Sequence, residues 1–263
     1  MDKRIILCAD DYGQNEAISE GILTLARSAR INALSCIVNV PYWVEASQAL
    51  RDIRSSTYIG LHLNLTDGAS FESLSALIKK AYLKQLNVQA IAAEIESQIN
   101  AFVHAMDAYP DFIDGHQHVH QLPVVRDALL LVYKRMGLQA FIRNTTNGWH
   151  DLWSLHGFPK RPLIALLGGI VLRRALVKQR IACNLSFSGI YPFHQSPLYR
   201  RHFNQFLTQI HDGGLIMCHP GDPSDDLSDP LSPYRHHELN YFLSDAFLSD
   251  LKTSSTQLRC KGM

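Results

Sequence analysis

The stretch RIILCADDYG, Arg4 to Gly13, decides how the rest of the chain is read. Its first six residues, Arg4 to Ala9, have the length and apolar character of a buried strand. Two adjacent carboxylates, Asp10 and Asp11, close the run. NEAISEGILTLARSA follows, with Ile18, Ile22 and Leu25 recurring at helical spacing. An apolar strand, a polar turn and an amphipathic helix together make one βα unit.

The same alternation continues outward from that unit. ALSCIVNV (Ala33 to Val40), YIGLHLNL (Tyr58 to Leu65), DFIDGH, QAFIRN and GLIMCHPG (Gly214 to Gly221) read as strands. Helical patterns fill Leu74 to Met106 as two segments and Val124 to Met136 as one, and return in SPLYRRHFNQFLTQIHD and HHELNYFLSDAFLSDL. DPSDDLSDPLSP, dominated by Pro, Asp and Ser, reads as a loop. Repeated βα units predict an α/β fold with a mainly parallel sheet or a β/α barrel. No fixed-period repeat, low-complexity linker or break in composition divides the 263 residues, so residues 1–263 are expected to form one domain. Within it, residues 145–190 form an irregular, insertion-like region.

Composition narrows the function classes. Lys and Arg total 25 against 24 Asp and Glu, so no global charge draws the chain to nucleic acid. The five cysteines, Cys8, Cys36, Cys183, Cys218 and Cys260, are scattered and form no CxxC pair, which suits buried thiols in a reducing compartment. MDKRIILCADDYG turns acidic too early for a signal peptide, and a cytoplasmic protein is expected. PLIALLGGIVL (Pro162 to Leu172) is too short to cross a bilayer, which takes about 20 residues, and reads as a buried helix. The basic RRALVKQR after it keeps peripheral membrane contact open, and apolar helix faces leave room for a homodimer.

Four polar clusters fall at the C-terminal ends of predicted strands: ADDYG, GLHLN, DGHQHVH and CHPGD. That edge is where β/α folds build their sites. Buried together, Asp10 and Asp11 would need a cation, a metal or a shared proton; one of them alone would suit a helix N-cap. His62 lies inside an apolar run, where a lone histidine is more often a hydrogen-bonded core residue. Asn64 shares its face and is a candidate to orient a ligand or contact substrate. In DGHQHVH the spacing is not that of a helical HExxH zinc site. If extended, the segment sends His116, His118 and His120 to one face, with one as a metal ligand, another as support, and Asp114 orienting an imidazole. His219, before a Pro-Gly turn, is either an ordinary turn residue or a general acid or base. Asp11, His62 and His116 together supply one carboxylate and two imidazoles, leaving coordination positions open as a catalytic metal site requires.

ADDYG, GLHLNLT, IDGHQHVHQLP, MCHPG and YRHHEL, in this order, resemble the YdjC family of carbohydrate deacetylases. That family includes chitooligosaccharide deacetylases and a hopanoid-associated branch. The resemblance implies a β/α barrel related to the polysaccharide deacetylases, and removal of an N-acetyl group from an amino sugar with one divalent metal ion, Mg²⁺ or Zn²⁺. It implies Asp11, His62 and His116 as metal ligands and Asp10 as general base. His219 is the candidate acid for the leaving amine, and Arg143 a candidate contact to substrate or to a carboxylate. Tyr12, where many relatives carry Phe, and Gly115, where Ser often precedes the first histidine, depart from the pattern without touching an expected ligand. The apolar, basic middle segment is similar to the hopanoid-associated branch, so the expected substrate is a chitooligosaccharide or a lipid-linked N-acetylglucosamine. Two other readings stand beside this one: a metal-dependent phosphoesterase, which favours two metals and more cationic residues, and a non-catalytic carbohydrate-binding protein.

Overall fold

A computed structural model describes residues 2–68, 72–147, 165–226 and 228–262. The first strand, β1 (Lys3–Tyr12), is the hub of an all-parallel sheet. It pairs with β2 (Ala33–Cys36) on one side and β7 (Leu215–Cys218) on the other, while β8 (Thr256–Leu258) pairs with its first residues. Beyond β2 lie β3 (Tyr58–Leu63), β4 (Phe112–Gly115) and β5 (Phe141–Ile142); beyond β7 lies β6 (Phe187–Ser188). Parallel neighbours need long crossovers. These are supplied by α1 (Glu16–Arg27), α2 (Trp43–Ala49), α3 (Leu74–Tyr82), α4 (Val88–Met106), α5 (Val125–Arg135), α6 (Ile170–Gln179), α7 (Tyr199–Gln209), α8 (Ser232–Leu243) and α9 (Asp245–Thr253).

Hydrogen bonds also join the two edges of the sheet. Ile142 N–H donates to the Ala182 carbonyl at 2.9 Å and Asn144 N–H to Asn184 Oδ1 at 2.7 Å, while Asn184 Nδ2 returns a bond to the Asn144 carbonyl at 2.8 Å. Amide side chains thus replace a regular ladder where β5 approaches the segment entering β6, and the sheet curls into the expected β/α barrel.

The two-residue period of a strand organises the interior. Along β1, Ile5, Leu7 and Ala9 pack in the large cluster shared with the helices. Ile6 and Cys8 join Ala33, Phe112, Phe187, Leu215 and Met217 in a second, smaller cluster inside the barrel. The inward series then ends on polar residues: Cys8 is followed by Asp10, Ala33 by Ser35, Phe112 by Asp114 and Met217 by His219. An apolar plug fills the lower barrel, and a polar layer sits on it at the C-terminal ends of the strands.

Several predicted elements differ in extent. ALSCIVNV is a strand only to Cys36, and GLIMCHPG only from Leu215 to Cys218. The long final helix is two, broken at Ser244, whose ψ of 158° is extended. The apolar run Pro162–Leu172 is not one helix: Leu167 and Gly168 leave helical geometry, Gly168 at φ 122°, and α6 begins at Ile170. A Cβ on Gly168 would lie 2.1 Å from the Gln121 carbonyl oxygen, so this close approach admits only glycine. Residues 148–164, most of the irregular region's first half and the start of that run, lie outside the described residues. Among the described residues, no helix is long and apolar enough to cross a membrane.

Candidate metal centre and active site

Adjacent residues of a regular strand face opposite ways, so Asp10 and Asp11 could not both point into the barrel. A break in the β1–β2 register between Ala9 and Tyr12, with Asp11 at φ 72°, brings both side chains to the site. Neither caps the following helix. That role falls to Asn15, whose Oδ1 accepts the Ile18 N–H at 2.9 Å.

Asp11 Oδ1 lies 3.4 Å from His62 Nε2 and 3.0 Å from His116 Nδ1, and the two imidazoles stand edge to face at 5.4 Å. Each ring is held from behind by a second carboxylate. Asp114 Oδ1 sits 2.6 Å from His62 Nδ1 and also accepts the Ser35 hydroxyl at 2.6 Å. Asp67 Oδ2 sits 3.2 Å from His116 Nε2. Carboxylates behind histidines fix the ring orientation and leave the opposite nitrogen free for a metal. One ligand atom from each of Asp11, His62 and His116 falls within 4.8 Å of the others.

The charge balance also suits a cation. Asp10, Asp11, Asp114 and Asp229 are buried, against two buried guanidiniums, Arg143 and Arg235. The deficit draws protons onto the histidines. Burial alone would lower His62, but Asp114, Asp10 and Asp11 raise it to about 10; burial is likewise outweighed at His116, which Asp11 and Asp67 raise to about 9. A divalent ion would supply that missing charge. These residues therefore fit a metal, and Asp11, His62 and His116 would hold it. A second group, Cys8, Asp10 and Asp114, converges in the same way. Its centre is already taken by Arg143: Nη2 lies 3.1 Å from Cys8 Sγ and 2.6 Å from both Asp10 and Asp114.

Arg143 grips Asp10 with both nitrogens, Nη1 to Oδ2 and Nη2 to Oδ1, each at 2.6 Å, and is wholly buried. Burial would raise the Asp10 carboxyl, but the guanidinium holds it well below the usual carboxylate range. Asp10 is therefore ionised and fixed in direction. His219 Nε2 lies 4.0 Å from Asp10 Oδ2, and its ring meets Phe193 edge-on at 5.3 Å. Burial lowers the His219 pKa even though Asp11 and Asp10 pull it up, so the imidazole rests neutral.

The sequence YdjC-like signature extends further: the chain matches the family described as "YdjC-like protein" over residues 4–253. The chain belongs to the YdjC-like family. It is 29% identical over 151 residues to a carbohydrate deacetylase of Danio rerio, across 51% of this chain and 48% of that one. It is 28% identical over 162 residues to a chitooligosaccharide deacetylase of Enterobacter sp. (strain 638), across 58% and 64%. The chain thus spans about half to two thirds of the length of these relatives. In structure it is similar to an Enterococcus faecalis V583 protein named for cellobiose-phosphate cleavage, at TM-score 0.71 and 18% identity over 98% of this chain and 97% of that one. It is also similar to a peptidoglycan N-acetylglucosamine deacetylase, at TM-score 0.51 and 11% identity over 97% and 85%. These two likenesses bear on the fold, a β/α barrel shared by the YdjC-like chain and the polysaccharide deacetylase.

Within this YdjC-like site, DGHQHVH is not extended beyond Gly115. His116–Gln121 wind into a short 3₁₀ turn with Gln117 at φ 52° and His118 at φ 61°, so the three histidines do not share a strand face. Only His116 reaches Asp11. His118 packs edge-on to Phe187 at 5.9 Å, and burial holds it well below its ordinary value. His120 places Nε2 3.0 Å from the Arg143 carbonyl oxygen and is lowered by burial to about 4. Asn64 does not face the cluster: its Oδ1 accepts the N–H groups of Thr66 and Asp67, and its Nδ2 donates to the Asp67 carbonyl. It shapes the loop that carries Asp67 to His116. Sequence reasoning passed over Asp67, Ser35, Arg235, Asp229 and Glu238. Arg235 Nη2 donates to Asp11 Oδ2 at 2.8 Å, and its Nε to Asp229 at 2.6 Å. The available signal was YRHHEL, a motif quoted for the resemblance with no role given to its residues.

Proposed function

We propose that this YdjC-like chain is a hydrolase that removes the N-acetyl group of an amino sugar with one divalent ion held by Asp11, His62 and His116. The observation that carries this reading is the convergence of those three ligands beside an ionised Asp10 and a neutral His219, in a polar layer where buried carboxyl groups outnumber the guanidiniums. When bound, the ion would polarise the acetamide carbonyl and acidify a water. Asp10, aimed by Arg143, takes a proton from the water whose oxygen bonds to the carbonyl carbon. His219 rests neutral and must gain a proton before it can act as an acid; Asp10, 4.0 Å away, is its source. As the C–N bond breaks, that proton passes to nitrogen, and acetate and the free amine leave. The names of the two relatives support an acetylated sugar as substrate, and one of them a chitooligosaccharide; a lipid-linked N-acetylglucosamine is the alternative that the apolar, basic middle segment brings. Because Arg143 occupies the second ligand group, a two-metal phosphoesterase has less to stand on.

The test is acetate release from N-acetylglucosamine, chitooligosaccharides and a lipid-linked N-acetylglucosamine, with and without chelator, beside Asp11→Asn. Chelator-sensitive release that the variant abolishes is expected. Cleavage of phosphate esters with no acetate from any sugar would replace this reading with the phosphoesterase.

A further inference from the structure

The YRHHEL motif places Arg235 and Glu238 three residues apart, on one face of α8. Arg235 reaches Asp11, while Glu238, 1% exposed, reaches the end of β7. Leu215 N–H donates to the Ser186 carbonyl on the β6 side, and with a two-residue period the N–H of His219 faces the same way. At that height no strand among the described residues remains to accept it. β6 ends at Ser188, and the chain turns at Gly189 with φ 111°, where a Cβ would strike the Met217 carbonyl at 2.2 Å. Glu238 Oε2 stands in for the missing strand, accepting the His219 N–H at 2.7 Å. Tyr191, two residues past that turn, returns to donate its hydroxyl to Glu238 Oε1 at 2.5 Å. Tyr191 also meets Phe193 edge-on at 5.2 Å, and Phe193 abuts the His219 ring.

We propose that Glu238 and Tyr191 are positioning residues for His219: they replace the absent strand and hold the imidazole at its place beside Asp10. The proposal rests on the deacetylase reading for its kinetic consequence, though not for its geometry. A hydrogen-bonding acceptor at this place matters more than its charge. Burial raises the Glu238 carboxyl to about 7 against the pull of Tyr191 and the His219 amide. A glutamine can accept from the His219 N–H through its oxygen and, with the Tyr191 hydroxyl rotated, donate to the Tyr191 oxygen, so it keeps both contacts with the Tyr191 bond reversed. A buried amide with no acceptor would relax, and small displacements of a proton-transfer group cost up to about 100-fold in rate.

The experiment compares wild type with Glu238→Ala, Glu238→Gln and Tyr191→Phe, by steady-state kinetics on the best substrate and by imidazole ¹H–¹⁵N spectra with the His219 signals assigned through His219→Gln. Glu238→Ala is expected to lower kcat about 10- to 100-fold, with KM within about 2-fold, and to move the His219 signals. Glu238→Gln should keep kcat within about 3-fold and leave those signals in place, while Tyr191→Phe should give an intermediate loss. Unchanged kcat and signals in Glu238→Ala would overturn the proposal, as would an equal loss in Glu238→Gln. If Glu238→Ala does not fold, Tyr191→Phe decides by the same two readouts. If wild type releases no acetate, the deacetylase reading fails, and the His219 signals alone still decide the positioning role.

Discussion

Replacing Arg143 with methionine removes the charge at the centre of the polar layer while keeping an unbranched apolar stem. In the native protein its guanidinium makes three N–O approaches of 2.6 Å, two to Asp10 and one to Asp114, with no solvent exposure. Unit charges about 4 Å apart attract by about 4 kcal/mol at an effective dielectric of about 20. Two carboxylates roughly double that, and the desolvation of a buried guanidinium offsets several kcal/mol. The net loss on removing one partner of such a group, which strands the others, is about 3–5 kcal/mol. Urea unfolding at pH 7.5 with chelator present measures it. The loss should shrink on acidification. Arg143 depresses the folded-state pKa of Asp10, so in wild type that stabilisation exists above the unfolded value near 4 and disappears only as pH falls through the lower folded value. In the variant, burial without the guanidinium raises the Asp10 pKa, so a proton relieves the strain at higher pH. The wild-type advantage should therefore narrow between about pH 7 and pH 4, and Asp10→Asn added to Arg143→Met should recover part of the stability at pH 7.5. A loss below about 1 kcal/mol that does not change with pH would refute the reasoning.

The chelated protein should lose stability as pH rises from about 6.5 through 9 and 10, because His62 and His116 are raised in the folded state and their contribution is full only below the unfolded value; the two elevations together set an upper bound of about 8 kcal/mol on the loss. Saturating divalent metal should remove most of that slope, and thermal melts across the range with and without metal check it. Asp114→Asn, which weakens the hold on His62 Nδ1, should reduce metal affinity about 10- to 100-fold with little change in the circular dichroism spectrum, as calorimetric titration would show.

The barrel was legible because six of its eight described strands, β1 to β5 and β7, announce themselves twice, by an apolar run and by the polar residue that ends the inward series, whereas the two-residue β6 lay unseen in the irregular region. Asp10, His62, Asp114 and His219 were found that way, and Arg143 by its place after FI. What escaped was geometry that no short window encodes. The register break that turns both aspartates inward depends on a positive φ at Asp11, a residue with no glycine to flag it. The 3₁₀ turn at His116 defeats the alternation that HQHVH displays on paper. Asp67 and Glu238 reach the site from a loop and a helix, distant in sequence from what they orient, and look like ordinary surface carboxylates until the chain is folded. The three-residue β8 and the seven-residue α2 are too short for periodicity to detect.

The hub position of β1 has a consequence for how the chain comes off the ribosome. Its partner β2 emerges soon after it, but β7 follows about 200 residues later and β8 later still. At roughly 5–20 residues per second, one edge of this central strand waits on the order of 10–40 seconds for its partners. Throughout that interval Ile5, Ile6 and Leu7 sit beside open backbone hydrogen-bonding groups, a template for pairing with another nascent chain. Slow synthesis of the last third should therefore lower the soluble yield more than slow synthesis of the first.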